Sequence, residues 1–329
     1  MKKKFANISI YRLIATICIL QFHVFFILYN KDIPYETLLS KGVQGLTFLS
    51  GLLYSQKVIT DIKGFYINNF KKLIIPGLII FLLMCLWNLV YMFIFRSWNY
   101  VALFFGHRAY NNGLLFQPAN YYYILYIYLC YLVTPILQRN DRYSLLVILG
   151  AILVEVTIGF FFGCSIIGCF YIIGYYLGKR LFSQVTNTEE KFSWKWFLLF
   201  LLVLLVTLGG YILIVMNPIS GSYFVVHLYS LLQNILSATF GAATCLVIIH
   251  ALRWINKFNT PKFLLFTDKI TLNIYLFNQA FMCGAMNVAV WADEMWLKTL
   301  LVYIFTIGFS IIAYFIYRLT TKQQTTLQQ

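Results

Sequence analysis

An all-α, polytopic membrane bundle of about ten transmembrane helices, with N- and C-termini cytoplasmic, is the architecture this sequence predicts. Three observations predict it. First, 61% of the 329 residues are hydrophobic and 11% are charged, with a mean hydropathy of +0.78, whereas soluble domains carry about 25% charged residues. A water-facing surface cannot be built from so few charges. Second, the apolar residues are gathered into runs of roughly 20, the length that crosses a hydrocarbon core about 30 Å thick. Third, Lys and Arg alternate between the loops on the two sides of those runs.

The runs fall at 8–29, 42–60, 73–95, 121–138, 144–162, 165–182, 193–216, 225–250, 270–290 and 297–318. Helix rather than strand follows, because lipid tolerates no unpaired backbone and the runs exceed the length of barrel strands. The first run follows Lys2, Lys3 and Lys4 like the start of a signal peptide. Arg12 interrupts it, however, and no small-residue cleavage site follows, so an uncleaved first transmembrane helix is predicted. The second run, GVQGLTFLSGLLYSQKVI, is rich in Gly and Ser at its start and predicts a broken or kinked helix lining a cavity. The other eight predict plain spans. Between the third and fourth runs lies the longest loop, 96–120, which carries His107, Arg108, Asn111, Asn112 and Gln117 among aromatic residues; loops of this length are often functional. All seven cysteines lie in apolar runs, where thiols act as small hydrophobes, and no disulfide framework is expected. The chain is expected to form one membrane domain over 1–320 and a short cytoplasmic tail over 321–329.

With the N-terminus inside, Lys31, Lys41, Arg96, Arg108 and Lys298 fall outside, Arg12 lies within the first helix, and every other Lys and Arg faces the cytoplasm. Miscounting by one helix would scramble this alternation, so orientation and helix number support each other. The net charge of +15 belongs to these loop clusters and not to one basic face. Nucleic-acid binding is therefore not expected.

Charged side chains inside a membrane are costly and mark functional positions. The first helix carries Arg12 and His23. Eleven residues at about 100° each leave them about 20° apart on one face and about 16.5 Å apart along the axis. Arg12 can also snorkel to inner-leaflet phosphates, and His23 can be a neutral packing residue. Their shared stripe favours function. Glu155, the acidic residue within the fifth run, can orient His23 or can be a protonated group bonded to a Tyr or a backbone carbonyl. His227 and His250, near opposite ends of the eighth run, are expected to be interfacial or packing residues.

The R-x10-H pattern of Arg12 and His23 resembles the acyltransferase-3 family of integral membrane O-acyltransferases. Other matches follow in order: GLTFLSGLLYS with Ser50-Gly51, NNFKKLIIPGLI with Lys71, Lys72 and Pro76, NYYYILYIYLCYLVTPIL with Tyr122, Tyr123 and Pro135, and TLNIYLFNQAF with Tyr275 to Asn278. Together they span nearly the whole chain. Three positions depart from the pattern: Asn278 stands where a second His is common, Lys71-Lys72 where Arg is frequent, and Tyr122 where Trp is usual. Asn278 cannot carry a proton, and Lys meets phosphate as a point charge without a bidentate fork.

The resemblance implies transfer of an acyl group, usually acetyl from acetyl-CoA, to a hydroxyl of an envelope glycan or its lipid-linked precursor. His23 would be general base or acyl-accepting nucleophile, an ordinary imidazole titrating near about 6.5. Arg12, Lys71 and Lys72 would meet the CoA phosphates. Ser50, Tyr122, Tyr123, His107, Arg108 and Asn278 would line the acceptor site. The expected partners are membrane lipid, acyl-CoA and a glycan acceptor, in the cell membrane, with no metal. H-x4-D, G-x-S-x-G and Walker motifs are all absent from the sequence. The alternative reading is a transporter or flippase for a glycan or lipid precursor, which would call for inverted repeats and matching broken helices; neither stands out.

Overall fold

The computed structural model describes residues 5–29, 36–95, 121–162, 167–282 and 287–326. Among these residues every regular element is helical. Helix α1 runs Ala6–His23 and continues as a π-helical turn over Val24–Tyr29. Then come α2 (Glu36–Ser40), α3 (Gly42–Tyr54), α4 (Ile62–Phe95), α5 (Tyr121–Arg139), α6 (Ser144–Phe162), α7 (Gly168–Thr186), α8 (Trp194–Met216), α9 (Tyr223–Ala251), α10 (Lys262–Phe277) and α11 (Met295–Thr326). Each of the ten apolar runs overlaps one of these helices. Six helical stretches are long and apolar enough to cross a membrane: Ala6–Tyr29, Ile62–Leu86, Asp141–Phe161, Trp194–Met216, Tyr223–Lys257 and Met295–Thr320. Long side chains such as Leu145, Leu149 and Leu153 on α6, or Leu198, Leu202 and Leu205 on α8, are more than two-fifths exposed. Exposed apolar stripes of that extent suit lipid and not water.

Several boundaries differ from the sequence expectation, including the end of α11 at Thr326 rather than 318. The helix expected over 42–60 ends at Tyr54. Ser55 turns its hydroxyl back to the Leu52 carbonyl (2.7 Å), a local bond that competes with helix continuation. Gln56 Nε2 then donates to the Gly178 carbonyl at 3.0 Å. The helix expected over 73–95 starts earlier, at Ile62, so Lys71 and Lys72 stand on helix and not in a loop. Hydropathy marks only the lipid-embedded part of such a helix, and Pro76 lies in its interior, where a proline costs the Lys72 carbonyl its usual partner. The helix expected over 270–290 begins at Lys262 and ends at Phe277. Turn bonds from Ala280 N to Phe277 O and from Met282 N to Gln279 O follow.

The chain divides into two compact units. The first comprises residues 1–19, 33–62 and 129–265. At its centre α3 packs on α7, and α9 packs on α3, α6, α7 and α8. Glycines permit the approach. A Cβ on Gly51 would collide with the Tyr171 carbonyl, and one on Gly174 with the Phe48 carbonyl. Gly241 meets the Lys41 backbone in the same way. Small residues at helix crossings are the usual means of packing helices in lipid, where no hydrophobic force drives the helices together. Phe48, Leu49 and Leu52 are almost fully buried in this core with Ala238, Cys245 and Ile249.

The first unit is also tied at its base by polar bonds. Asn7, fully buried, donates through Nδ2 to the carbonyls of Val185 (2.8 Å) and Ile249 (2.7 Å). Its Oδ1 accepts from Asn256 Nδ2 at 2.9 Å, and its backbone N–H donates to Asn256 Oδ1 at 3.1 Å. Those carbonyls lie in the last turns of α7 and α9, where helices leave acceptors unpaired. Arg253 serves the same end, donating to the carbonyls of Gln184 (2.6 Å) and Glu190 while its guanidinium lies over the Phe192 ring.

The second unit comprises residues 20–32, 63–128 and 266–329. Its core is aromatic, with Phe277, Phe281, Phe305 and Phe309 in mutual ring contact. Asn273 Nδ2 donates to the Ser310 carbonyl at 3.1 Å and joins α10 to α11. Tyr303 donates to Gln21 Oε1 at 2.7 Å, and the Tyr29 and Thr299 hydroxyls lie 3.3 Å apart. These bonds hold the end of α1 and its π-helical turn against α11.

Candidate functional site

His23 is the last residue of α1 proper, where the backbone widens into the π-helical turn; such insertions are frequent at functional sites. The imidazole is 8% exposed and makes an edge contact with the Phe22 ring at 5.0 Å. Its Nδ1 lies 3.3 Å from Nδ2 of Asn278. Asn278, 1% exposed, is the first residue beyond α10. The amide of Asn278, expected at the acceptor site, thus lies against His23. Two further aromatic side chains flank the same stretch of α10, the rings of Tyr123 and Tyr275 lying 4.8 Å apart.

Arg12 belongs to the first unit and is half-buried. Its guanidinium acts electrostatically on the hydroxyls of Tyr54 and Tyr131 and on the thiol of Cys245. Tyr54 and Tyr131 stack at 4.4 Å and share a hydrogen bond. Tyr131 also bonds Ser50, whose hydroxyl donates to the Leu46 carbonyl at 2.9 Å. Tyr171 adjoins both rings, and its hydroxyl lies 2.6 Å from Thr134 Oγ1. Lys57 Nζ stands 3.6 Å over the Tyr54 ring. The result is two cations among phenolic hydroxyls. Such a surface can give several hydrogen bonds to an anionic oxygen, and those from the cations are the strong, charge-assisted kind.

This tyrosine cluster was not singled out from the sequence. Its signal was present only as a surplus of tyrosine, 25 residues, in runs that read as ordinary apolar helix. Ser50-Gly51 gains a physical account from it. Ser50 reaches Tyr131, and Gly51 lets the backbone of Tyr171 come close enough for the three rings to meet.

Glu155 bonds backbone at the start of α7. Oε2 accepts from the Ile167 N–H (3.0 Å) and Oε1 from the Gly168 N–H (2.6 Å). These are orphan donors at the start of α7, and a carboxylate there also complements the helix dipole. His250 is a packing residue, wedged against Phe192, Phe197 and Phe200. Lys71 and Lys72 are exposed on α4. Tyr123 is buried. His107 and Arg108, with Asn111, Asn112 and Gln117, lie outside the described residues, as does the side chain of Tyr122. Among the described residues, no three His, Cys, Asp or Glu side chains are grouped to hold a metal ion.

An all-helical membrane protein that buries an imidazole against a neutral amide belongs to the class of membrane-embedded proteins with the means for proton or acyl transfer. The acyltransferase-3 model, an acyltransferase domain, matches residues 5–316. The chain belongs to that family and is a membrane acyltransferase. No curated protein and no solved structure matches it.

Proposed function

We propose that the chain is an O-acetyltransferase of the cell membrane, moving acetyl from acetyl-CoA to a hydroxyl of a surface polysaccharide or its lipid-linked precursor. The observation that carries this reading is the buried imidazole of His23, held at Nδ1 by Asn278, in a chain of the acyltransferase-3 family. As the acceptor hydroxyl attacks the thioester carbonyl, a C–O bond forms and the imidazole takes the hydroxyl proton. Collapse of the tetrahedral intermediate breaks the C–S bond, and the departing CoA thiolate recovers that proton. The same ring nitrogen can instead take the acetyl group first, and both routes need its lone pair.

Arg12, Lys71 and Lys72 are the cations proposed for the CoA phosphates. Arg12 is proposed for this because it stands beside the phenolic hydroxyls of Tyr54 and Tyr131, which can add hydrogen bonds to an anionic oxygen. Ser50, Tyr123 and the loop residues His107 and Arg108 are proposed for the acceptor, tyrosine rings stacking on sugar faces. The proposed topology is ten crossings with both termini cytoplasmic. The Lys and Arg distribution supports it, as does a helix overlapping each apolar run.

The test is the O-acetyl content of surface glycan in cells producing His23→Ala. Acetylation should fall to the level of cells lacking the protein while the variant stays in the membrane. Normal acetylation by a stably inserted variant overturns the reading.

A further inference from the structure

Lys41 is 7% exposed, whereas lysines ordinarily extend their charge to water. A buried ammonium normally faces a carboxylate, because an uncompensated charge is costly in an apolar interior. Lys41 has no such companion. Among the described residues its side chain makes no hydrogen bond and no ion pair. Burial lowers the pKa of its ammonium, and no charged neighbour offsets that effect.

The residue is not sealed in. It lines a cavity of about 180 Å³ within the first unit, whose walls include the apolar side chains of Ile14, Leu38, Phe240 and Ile248. The Thr244 hydroxyl in the same wall is already used, donating to the Phe240 carbonyl at 2.8 Å. Ile14 is 37% exposed, and Ile17, a turn further along α1, is 45% exposed. The cavity therefore gives onto an exposed apolar face of that helix. An apolar chamber with one uncompensated cation is complementary to a molecule with one anionic end and a hydrocarbon remainder.

We propose that this cavity binds the carboxylate end of a membrane fatty acid, its oxygens on Lys41 Nζ and its first methylenes against Ile14, Leu38 and Ile248. Charge and volume select that class. A monoanion neutralises one ammonium and leaves no net charge among apolar side chains. An apolar cavity of about 150 Å³ takes a molecule the size of benzene. The space beside Lys41 accordingly holds a carboxylate and a few methylenes, and not the phosphate, glycerol and paired chains of a phospholipid. The rest of the single chain leaves past Ile14 into lipid. Binding requires no acyl transfer and is independent of His23.

The test uses the full chain in phosphatidylcholine nanodiscs and palmitate labelled with 13C at its carboxyl carbon. Wild-type protein should give a carboxyl resonance distinct from that in protein-free discs. Unlabelled palmitate should displace it, and palmityl alcohol should not. Lys41→Met should weaken binding about ten- to a hundredfold, the equivalent of one lost charge-assisted hydrogen bond. That substitution removes a costly charge and so spares the fold, and the comparison of acid with alcohol needs no variant. No distinct resonance in the wild type, equal competition by the alcohol, or undiminished binding to inserted Lys41→Met overturns the proposal. Displacement by phosphatidylglycerol as readily as by palmitate overturns it too, and makes the occupant a phospholipid headgroup.

Discussion

The bonds of Asn7 allow a quantitative test of what holds the first helix in register. Asn7→Leu keeps the volume and removes three long-range side-chain bonds, to Val185 O, Ile249 O and Asn256 Nδ2. Two estimates bracket the loss. Side-chain hydrogen bonds between membrane helices average about 0.6 kcal/mol, which gives about 2 kcal/mol for three. Leaving buried acceptors unpaired costs about 1–3 kcal/mol each, which raises the figure to about 6 kcal/mol if the two carbonyls find no water. A loss of about 2–6 kcal/mol is expected, read as a lowered thermal or denaturant midpoint of the full chain in mild detergent. The sharper measurement is a double-mutant cycle with Asn256→Leu. Asn256→Leu breaks both direct bonds between the two residues, and Asn7→Leu breaks the side-chain bond while keeping its backbone N–H, so the side-chain bond they share is lost in either single variant. The double variant should be less destabilised than the sum of the singles by at least about 1 kcal/mol. Additivity within about 0.5 kcal/mol would refute the claim that the two asparagines act as one unit. Five residues further along α1 stands Arg12, so under the proposed function the Asn7 variant should also weaken acetyl-CoA binding before it unfolds.

Two further outcomes follow from the same packing. Gly51→Val should prevent α3 and α7 from closing, since even a Cβ meets the Tyr171 carbonyl; loss of the monodisperse peak in detergent is expected, and normal stability would show that the crossing can slide. Lys41, 7% exposed and just ahead of α3, has its ammonium pushed down from 10.5 to about 8 by burial. The folded state then holds fewer protons than the unfolded chain between about pH 8 and 10.5. Stability should accordingly rise with pH through that window, and the penalty is complete below it, on the order of 3 kcal/mol. Lys41→Met should therefore raise the melting midpoint at pH 7 and lose that advantage above about pH 10.5. A midpoint that is unchanged or lower at pH 7 would contradict this.

Much of the architecture was legible because lipid makes it a local property. A run of about 20 apolar residues can satisfy its backbone only by coiling on itself, so each run overlaps a helix whatever its neighbours do. Arg12 and His23 were legible for a related reason: a charge or imidazole in an apolar run is expensive wherever the run ends up. Helix ends were less legible. Hydropathy has no means of seeing Ser55 turn back on Leu52, nor the polar turns of α4 ahead of Pro76. Arg253 shows the limit of charge counting. It was counted as one more cytoplasmic cation, yet it is 6% exposed and its guanidinium is spent on two backbone carbonyls.

What the sequence determined by itself was the helical class, the apolar runs and the two costly side chains of α1. Only the tertiary structure decided what those side chains meet. Asn278, the first residue beyond α10, meets His23 from 255 residues away in the sequence. Tyr54 and Tyr171 adjoin because glycine contacts bring α3 and α7 together, and Tyr131 of α5 stacks on Tyr54. Glu155 is drawn to the start of α7 by backbone N–H groups that have no other acceptor within the helix. Hydropathy and helical period act over a turn or two, whereas these pairings depend on where helices stop and how closely they cross.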